Sequence, residues 1–127
     1  MHGQRWITPT MTARDWQDAI DQHWGYLLAA RGLDAAPVYV GEFGTPSVAD
    51  LSLHDAHGGS QGAWFSALVA YLQRNPSVGW AYWPVNGTRP GERDRRHARA
   101  EPYGLLSADW AHLAHPQVWE VLRTLEK

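Results

Sequence analysis

A carboxylate and an indole stand at the ends of two short apolar segments of the chain. Glu42 lies near the end of Val-Tyr-Val-Gly-Glu-Phe-Gly at residues 38–44, and Trp83 ends Val-Gly-Trp-Ala-Tyr-Trp at residues 78–83. Both segments have the composition of buried strands in a parallel sheet, where functional groups gather at the C-terminal strand ends. We therefore expect Glu42 at the mouth of the sheet, with the Trp83 ring level with it as the floor of a sugar site.

Both residues also have structural interpretations, which the pattern leaves open. Glu42 could be a partly buried carboxylate satisfied by a neighbouring Arg or Tyr, and Trp83 could be a core indole. Another candidate, the pair His54 and His57, has aspartates nearby but no third close ligand, which is more typical of a solvated loop. We predict no metal site and no cofactor.

Helical and strand periodicities alternate along the chain. Thr12 and Asp15 have the spacing of a capping box at the start of the first helix, and Pro116 suits the first turn of the last one. Residues 84–104 are polar and rich in arginine, which predicts a solvated loop rather than a binding patch. The predicted helices span residues 12–32, 64–75 and 115–125, and the predicted strands span residues 37–44 and 78–83.

This order of helix, strand, helix, strand, helix predicts an α/β fold in which the two strands are parallel neighbours. Two strands cannot close a barrel, and a two-stranded layer leaves backbone edges unpaired. The chain therefore has the pattern of a piece of a larger structure. Self-association through the exposed strand edges is one partner interaction that this pattern allows.

Composition narrows the classes of partner. The 127 residues suggest one domain, and the net charge of −2 gives no reason to expect nucleic acid or a membrane as a partner. The chain has no cysteine, which excludes disulfides and thiol chemistry. Its first residues lack the apolar segment of a signal peptide. Eight Trp and five Tyr fit either an indole-rich core or a cleft that stacks on sugars.

Four segments occur in an order that resembles a known enzyme family. They are Trp-Gly-Tyr-Leu at residues 24–27, Pro-Val-Tyr-Val-Gly-Glu-Phe-Gly at residues 37–44, Gly-Trp-Ala-Tyr-Trp-Pro-Val-Asn-Gly at residues 79–87 and Tyr-Gly-Leu-Leu at residues 103–106. Together they resemble the last third of family 5 glycoside hydrolases, the cellulase-type (β/α)8 barrels. The resemblance implies that residues 1–127 are the C-terminal portion of such a catalytic domain, a partial TIM barrel with only its last strands.

The resemblance also implies roles for individual residues. Glu42 matches the glutamate that ends strand seven and is the nucleophile of a retaining mechanism, and Trp83 matches the tryptophan that ends strand eight and stacks on the sugar. Asn86 lies where the family's next loop lines the cleft, and Trp6 is similar to a tryptophan that borders the leaving-group side. The implied substrate is a β-glucan such as cellulose. Members of the family are extracellular, and the location of this chain stays open.

One part of the family's catalytic machinery is not found in the sequence. The acid that protonates the leaving oxygen normally lies in an Asn-Glu-Pro motif, and the only Glu-Pro here is Glu101-Pro102, after the second strand. We do not assign Glu101 as this acid. The resemblance therefore implies a glycosidase that is weak or inactive by itself, with a carbohydrate-binding fragment or a truncated remnant as alternatives. A partial gene product and several copies sharing one cleft both explain the missing strands.

Overall fold

The structure is a computed structural model, and it describes residues 11–29, 36–45, 61–91 and 98–126. Its helices and small sheets form a mixed α/β fold. In chain order the elements are helix α1 (Ala13–His23), a short 3-10 helix (Gly25–Ala29), strand β1 (Tyr39–Phe43), helix α2 (Gln61–Arg74), strands β2 (Gly79–Tyr82), β3 (Thr88–Pro90) and β4 (Ala98–Ala100), and helix α3 (Pro116–Arg123). None of these helices combines the length and the apolar character needed to cross a membrane.

Strands β1 and β2 lie side by side and run parallel, which confirms the predicted pairing. Tyr39 lies opposite Gly79 at one end of the pair, and Phe43 lies opposite Tyr82 at the other. Helix α2 lies between the two strands in the chain, as the crossover between parallel neighbours requires. The (β/α)8 barrel stays a prediction, because the described parallel sheet consists of these two strands.

A β-bulge interrupts the parallel pair just before the strands end. Between two paired positions, β1 contains Gly41 and Glu42 where β2 contains only Ala81. A bulge of this kind bends its strand and changes the direction of the side chains beside it. The direction of Glu42 at the end of β1 therefore depends on the bulge.

The hydrophobic core lies against one face of the parallel pair. The Phe43 ring lies 5.9 Å from the ring of Phe65 on α2, measured between centroids. It also lies 6.1 Å from the Trp80 ring and 5.9 Å from the Tyr82 ring, two residues that share one face of β2. The α2 positions 65, 68, 69 and 72 have the spacing of one helix face. The buried core residues are Phe43, Phe65, Leu68, Val69, Leu72, Val78, Leu105, Val118 and Leu122.

The opposite face of the sheet is open in the described part of the chain. Tyr39 is 64 % exposed, and Gly41 is exposed as well. The Tyr39 ring lies over Gly79, where a Cβ would come within 2.4 Å of the ring. The expectation of a fully buried strand over residues 37–44 is therefore wrong. The described core covers one face of β1, and the apolar composition of the segment reflects that face.

Strands β3 and β4 form an antiparallel pair where the sequence predicted only a polar loop. Thr88 lies opposite Ala100, and Pro90 lies opposite Ala98. The predicted loop over residues 84–104 is therefore wrong in this part. Each strand has three mostly exposed residues, so neither shows the alternation of apolar and polar side chains that identifies a half-buried strand.

Helix α1 begins as predicted and ends earlier than predicted. Asp15 Oδ2 accepts hydrogen bonds from the backbone N–H of Thr12 at 2.6 Å and from its hydroxyl at 2.7 Å, and the Asp15 N–H donates to Thr12 Oγ1 at 3.2 Å. These contacts confirm the capping box. The helix ends at His23, and the chain continues as the 3-10 helix rather than as α-helix to residue 32. Pro116 lies in the first turn of α3, as predicted.

Candidate functional site

A cleft of about 300 Å³ opens at the C-terminal ends of β1 and β2. Glu42 and Trp83, the two main site residues predicted from the sequence, both line it. The structure therefore brings together a carboxylate and an indole that come from different strands. The residues that line the cleft are Glu42, Phe43, Gly44, Trp83, Pro84, Glu101 and Tyr103.

Glu42 is exposed to solvent at this cleft. It follows Gly41 in the bulge of β1 and precedes Phe43, whose side chain is 4 % exposed and anchors the strand in the core. This exposure contradicts the interpretation of Glu42 as a partly buried structural carboxylate. A carboxylate with such access can contact a ligand directly.

The Trp83 ring is 57 % exposed and lines the same cleft. The Trp83 N–H donates to the carbonyl oxygen of Phe43 at 2.9 Å, so backbone bonding between the strands continues one residue past β2. The peptide bond from Trp83 to Pro84 is cis, and Pro84 is buried. Because Trp83 is exposed, the interpretation of it as a core indole is wrong. Its ring can stack on a flat apolar surface of a ligand.

Gly44 determines how closely the two strand ends approach. A Cβ at this position would lie 2.3 Å from the carbonyl oxygen of Trp83, which is too close for any side chain. Glycine allows the two backbones to approach because it has no Cβ. The separation of the cleft walls that carry Glu42 and Trp83 depends on this contact.

A second carboxylate, Glu101, also lines the cleft, although its position in the sequence does not predict it there. The Glu101 N–H donates to the carbonyl oxygen of Gly87 at 3.1 Å, directly after the β3–β4 pair. Glu101 Oε1 accepts from the Tyr103 N–H at 3.2 Å, and the Glu101 carbonyl accepts from the Gly104 N–H at 3.0 Å. The Glu-Pro pair was the available signal, but its position after the second strand did not reveal that the chain returns to the cleft.

The Tyr82 hydroxyl connects this returning segment to the end of β2. It donates to the carbonyl oxygen of Tyr103 at 3.0 Å. Burial raises the pKa of Tyr82 above the ordinary phenol value, which is itself well above neutral pH, and the phenol is therefore a donor at neutral pH. The N–H of Leu105 also donates to the carbonyl oxygen of Pro84 at 3.0 Å. The segment that carries Glu101 and Tyr103 is thus attached to the strand end through several bonds.

Of the other predicted site residues, Asn86 is half-buried, and Trp6 lies outside the described residues. The Asn86 carbonyl faces Gly104, where a Cβ would lie 2.2 Å from the carbonyl oxygen. Asn86 is not among the described residues that line the cleft, and its backbone packs against the segment after β4 instead. Its role in the site stays a prediction. His54 and His57 also lie outside the described residues.

A larger cleft, of about 410 Å³, lies at the N-terminal end of β1. Its described lining contains no carboxylate, imidazole or amine. The residues that line it are Trp24, Leu27, Ala36, Pro37, Val38, Tyr39 and Val40. It provides apolar surface but lacks the groups that usually serve in acid–base or nucleophilic catalysis.

Ser107, Asp109 and His112 have the residue types of a catalytic triad but not its arrangement. Ser107 Oγ donates to Asp109 Oδ1 at 2.5 Å, and His112 Nδ1 lies 2.8 Å from Asp109 Oδ2. The serine therefore bonds to the carboxylate and not to the imidazole that would activate it. Bonds from Ser107, the Ala111 N–H and His112 hold the pKa of Asp109 well below its usual range, which is consistent with a turn stabilised by an aspartate.

No group of three or more His, Asp or Glu side chains within the described ranges could hold a metal ion. Comparison with known proteins found no match among family models, curated proteins or solved structures. Function must therefore be inferred from the cleft itself.

Proposed function

We propose that this chain is the C-terminal portion of a family 5 glycoside hydrolase that cleaves β-glucan with retention of configuration. The observation that carries the proposal is the position of Glu42 and Trp83 in one cleft, at the C-terminal ends of two adjacent parallel strands. Barrel enzymes carry their catalytic groups at this edge of the sheet. A carboxylate beside a stacking ring can hold a sugar and attack its anomeric carbon.

The described sheet has the strand arrangement that the barrel part of this proposal requires. Its two strands are parallel, with helix α2 between them in the chain. One face carries Tyr39, Gly41 and Gly79 with no described element packed over it. Parallel sheets in folded proteins are usually covered on both faces. In a whole barrel, further strands and their side chains would cover this face and extend the walls of the cleft.

In the proposed mechanism, Glu42 attacks the anomeric carbon of a sugar stacked on Trp83, the glycosidic C–O bond breaks, and the leaving oxygen departs with a proton. Water then hydrolyses the glycosyl-enzyme ester, which releases the sugar and restores the Glu42 carboxylate. Retaining glycosidases also need a second carboxyl group, about 5–5.5 Å from the first, to protonate the leaving oxygen. The Asn-Glu-Pro motif that supplies this group in the family does not occur in the sequence. General acid catalysis contributes roughly 10²–10⁴-fold, so we expect the chain to hydrolyse cellulose very slowly or not at all.

An activated substrate tests Glu42 without requiring the acid. Dinitrophenyl cellobioside has a leaving group that needs little protonation, so attack by Glu42 should be measurable as release of dinitrophenolate. The assay compares the wild-type chain with Glu42→Gln and with the matched control Glu126→Gln, which changes an exposed glutamate after α3. We expect release to disappear in Glu42→Gln and to persist in Glu126→Gln.

One result would contradict this mechanism, and another would contradict the expectation that the chain lacks a general acid. If all three proteins released dinitrophenolate only at the uncatalysed rate, Glu42 would not be a functioning nucleophile. If the wild-type chain hydrolysed carboxymethyl cellulose at an ordinary enzymatic rate, and Glu42→Gln abolished that activity, an acid would have to be present within the chain or in a second copy.

Carbohydrate binding without catalysis is a second candidate function, and the exposure of the Trp83 ring favours it. A stacking ring can bind glucan whether or not a general acid is present. Pull-down on insoluble cellulose, with the wild-type chain and Trp83→Ala, measures this binding. Retention of the wild-type chain alone, without turnover of the activated substrate, would identify a binding module. A chain that neither binds nor cleaves glucan would be a remnant.

A further inference from the structure

We propose that Glu101 is a substrate-positioning residue of the cleft, whose carboxylate accepts hydrogen bonds from hydroxyl groups of the sugar that stacks on Trp83. This proposal rests on the proposed carbohydrate function. It differs from the role of the missing general acid, because Glu101 would bind the intact sugar rather than transfer a proton to the leaving group.

Glu101 reaches the cleft through a part of the chain that lies between the four segments quoted for the family resemblance. Strands β3 and β4 pair after the end of β2 and bring the chain back, so that the Glu101 N–H bonds to the Gly87 carbonyl oxygen at 3.1 Å. Gly87 lies shortly after Trp83 in the chain. Glu101 therefore lines the same cleft as Trp83 and Glu42, on a separate segment of backbone.

One hydrogen bond holds the Glu101 side chain, and two more hold its backbone. Besides its bond to Gly87, the Glu101 carbonyl accepts from the Gly104 N–H at 3.0 Å, and its Oε1 atom accepts from the Tyr103 N–H at 3.2 Å. A side chain that is already held loses less conformational freedom when a ligand binds, which strengthens binding. This restraint is typical of a group that orients a ligand.

The Glu101 carboxylate can accept further hydrogen bonds. An ionised carboxylate has about four lone-pair positions. In the described part of the chain, one donor reaches this side chain, the Tyr103 N–H at Oε1. The Oε2 atom and the second lone pair of Oε1 can therefore accept hydrogen bonds from a ligand in the cleft.

The cleft combines the two surfaces that a pyranose requires. A pyranose has an apolar face, which can stack on the exposed Trp83 ring, and a rim of hydroxyl donors, which can bond to a carboxylate beside the ring. Among the described residues that line the cleft, Glu42 and Glu101 are carboxylates and none is a cation, an arrangement that repels a bound anion. The ligand class is therefore a neutral glucan rather than an acidic polysaccharide.

Titration of tryptophan fluorescence with cellotetraose tests this assignment. The proteins compared are the wild-type chain, Glu101→Ala, Glu101→Gln and the control Glu126→Ala. We expect Glu101→Ala to raise the Kd about 10- to 100-fold, the range associated with hydrogen bonds to a charged group. Glu101→Gln should raise it less, because the amide oxygen still accepts, and Glu126→Ala should leave it unchanged. Equal urea midpoints would show that the variants are folded.

A series of monodeoxy cellobiosides separates direct contact from a structural effect. The sugar that lacks the hydroxyl bound by Glu101 should bind equally to the wild-type chain and to Glu101→Ala, because the interaction is absent in both. A purely structural role for Glu101 would weaken all the sugars by the same factor, which would overturn the proposal.

Two further outcomes distinguish this proposal from the function on which it rests. If Trp83→Ala lost cellotetraose binding while both Glu101 variants kept it, Glu101 would not be a positioning residue, although the carbohydrate function would stand. If the wild-type chain bound no cello-oligosaccharide, the carbohydrate function and this assignment would both be wrong. Loss of turnover only for substrates with poor leaving groups, at unchanged Kd, would identify Glu101 as the acid instead.

Discussion

Replacing Gly44 with alanine should push apart the C-terminal ends of β1 and β2. The new Cβ would lie 2.3 Å from the Trp83 carbonyl oxygen. That oxygen belongs to the backbone, and the Trp83 N–H is bonded to the Phe43 carbonyl at 2.9 Å, so the carbonyl cannot turn aside like the end of a flexible side chain. The methyl group can be accommodated only if the two backbones separate at the cleft.

Gly41→Ala is the matched control for this substitution. Gly41 lies in the same strand, and a Cβ built on it meets no atom of the described structure within 4 Å. Both variants add one methyl group and restrict the unfolded chain in the same way. The difference in stability between the two variants therefore isolates the contact between Gly44 and Trp83.

The expected difference in stability is large enough to measure. Forcing a methyl group into an occupied position costs about 1–3 kcal/mol. Gly41→Ala should be neutral or stabilising by about 0.4–1 kcal/mol, because alanine lowers the entropy of the unfolded chain. A difference of about 2 kcal/mol, divided by a urea slope of about 1–3 kcal/mol/M, corresponds to a midpoint difference of roughly 1 M.

Urea unfolding followed by tryptophan fluorescence gives the two midpoints, and titration with cellotetraose reports on the cleft. We expect Gly44→Ala to lower the midpoint and weaken sugar binding, whereas Gly41→Ala should do neither. Equal midpoints for the two variants would refute the inference that this backbone contact holds the strand ends together. A destabilised Gly44→Ala variant that kept wild-type affinity would show that the cleft tolerates separation of its walls.

Three further predictions concern hydrogen bonds outside the cleft. Tyr71 is 2 % exposed and donates to Asp21 Oδ1 at 2.6 Å, and burial raises its pKa to about 12. The contribution of the Tyr71 phenol to folding stability should therefore be complete below about pH 10, the pKa of tyrosine in the unfolded chain. That contribution should be lost as the pH rises toward 12, the pKa in the folded chain. Tyr71→Phe should remove this alkaline decline in unfolding experiments and cost about 1 kcal/mol at pH 7. The pKa of Asp109 is lowered instead, so the pH dependence is the reverse of that of Tyr71. The contribution of Asp109 to folding stability is complete above the ordinary carboxyl pKa and is lost as the pH falls below that pKa. Asp109→Asn should therefore flatten the acid side of a curve of stability against pH. Trp110 has a φ of 59°, and its indole N–H donates to Thr88 Oγ1 at 3.1 Å. Trp110→Gly and Trp110→Ala both lose that bond, but only glycine relieves left-handed strain of roughly 1–2 kcal/mol, so Trp110→Gly should destabilise less in urea than Trp110→Ala. The reverse order would show that the strain is negligible.

The helices and the parallel strands could be predicted because their signals are local. The capping pair Thr12 and Asp15 lies within one turn, and the apolar face of α2 repeats at helical spacing. The ends of neighbouring parallel strands lie at one edge of a sheet, and so the positions of Glu42 and Trp83 near two strand ends were sufficient to place them together.

The remaining features of the site depend on pairing between distant residues. Glu101 enters the cleft because two strands of three mostly exposed residues pair, and such short strands have no recognisable periodicity. The bulge at Gly41 and Glu42 could not be predicted either, because it depends on the number of residues opposite in β2. The exposure of Trp83 depends on which residues cover the end of β2, and the composition of residues 78–83 gives no information about those residues.

In the part of the chain that the structure describes, one face and both edges of the β1–β2 pair are open, so a molecule that covers them would stabilise the folded state by mass action. Each of these two strands has one hydrogen-bonded neighbour in the described structure. Tyr39 on β1 is exposed on the open face of the pair. Anything that binds this surface in the folded state adds its binding free energy to folding, about 2.7 kcal/mol at a concentration one hundred times its Kd. If a second copy covers the surface, the thermal midpoint should rise with protein concentration. If the remaining strands of a barrel cover it, the midpoint should rise when they are supplied as a separate polypeptide.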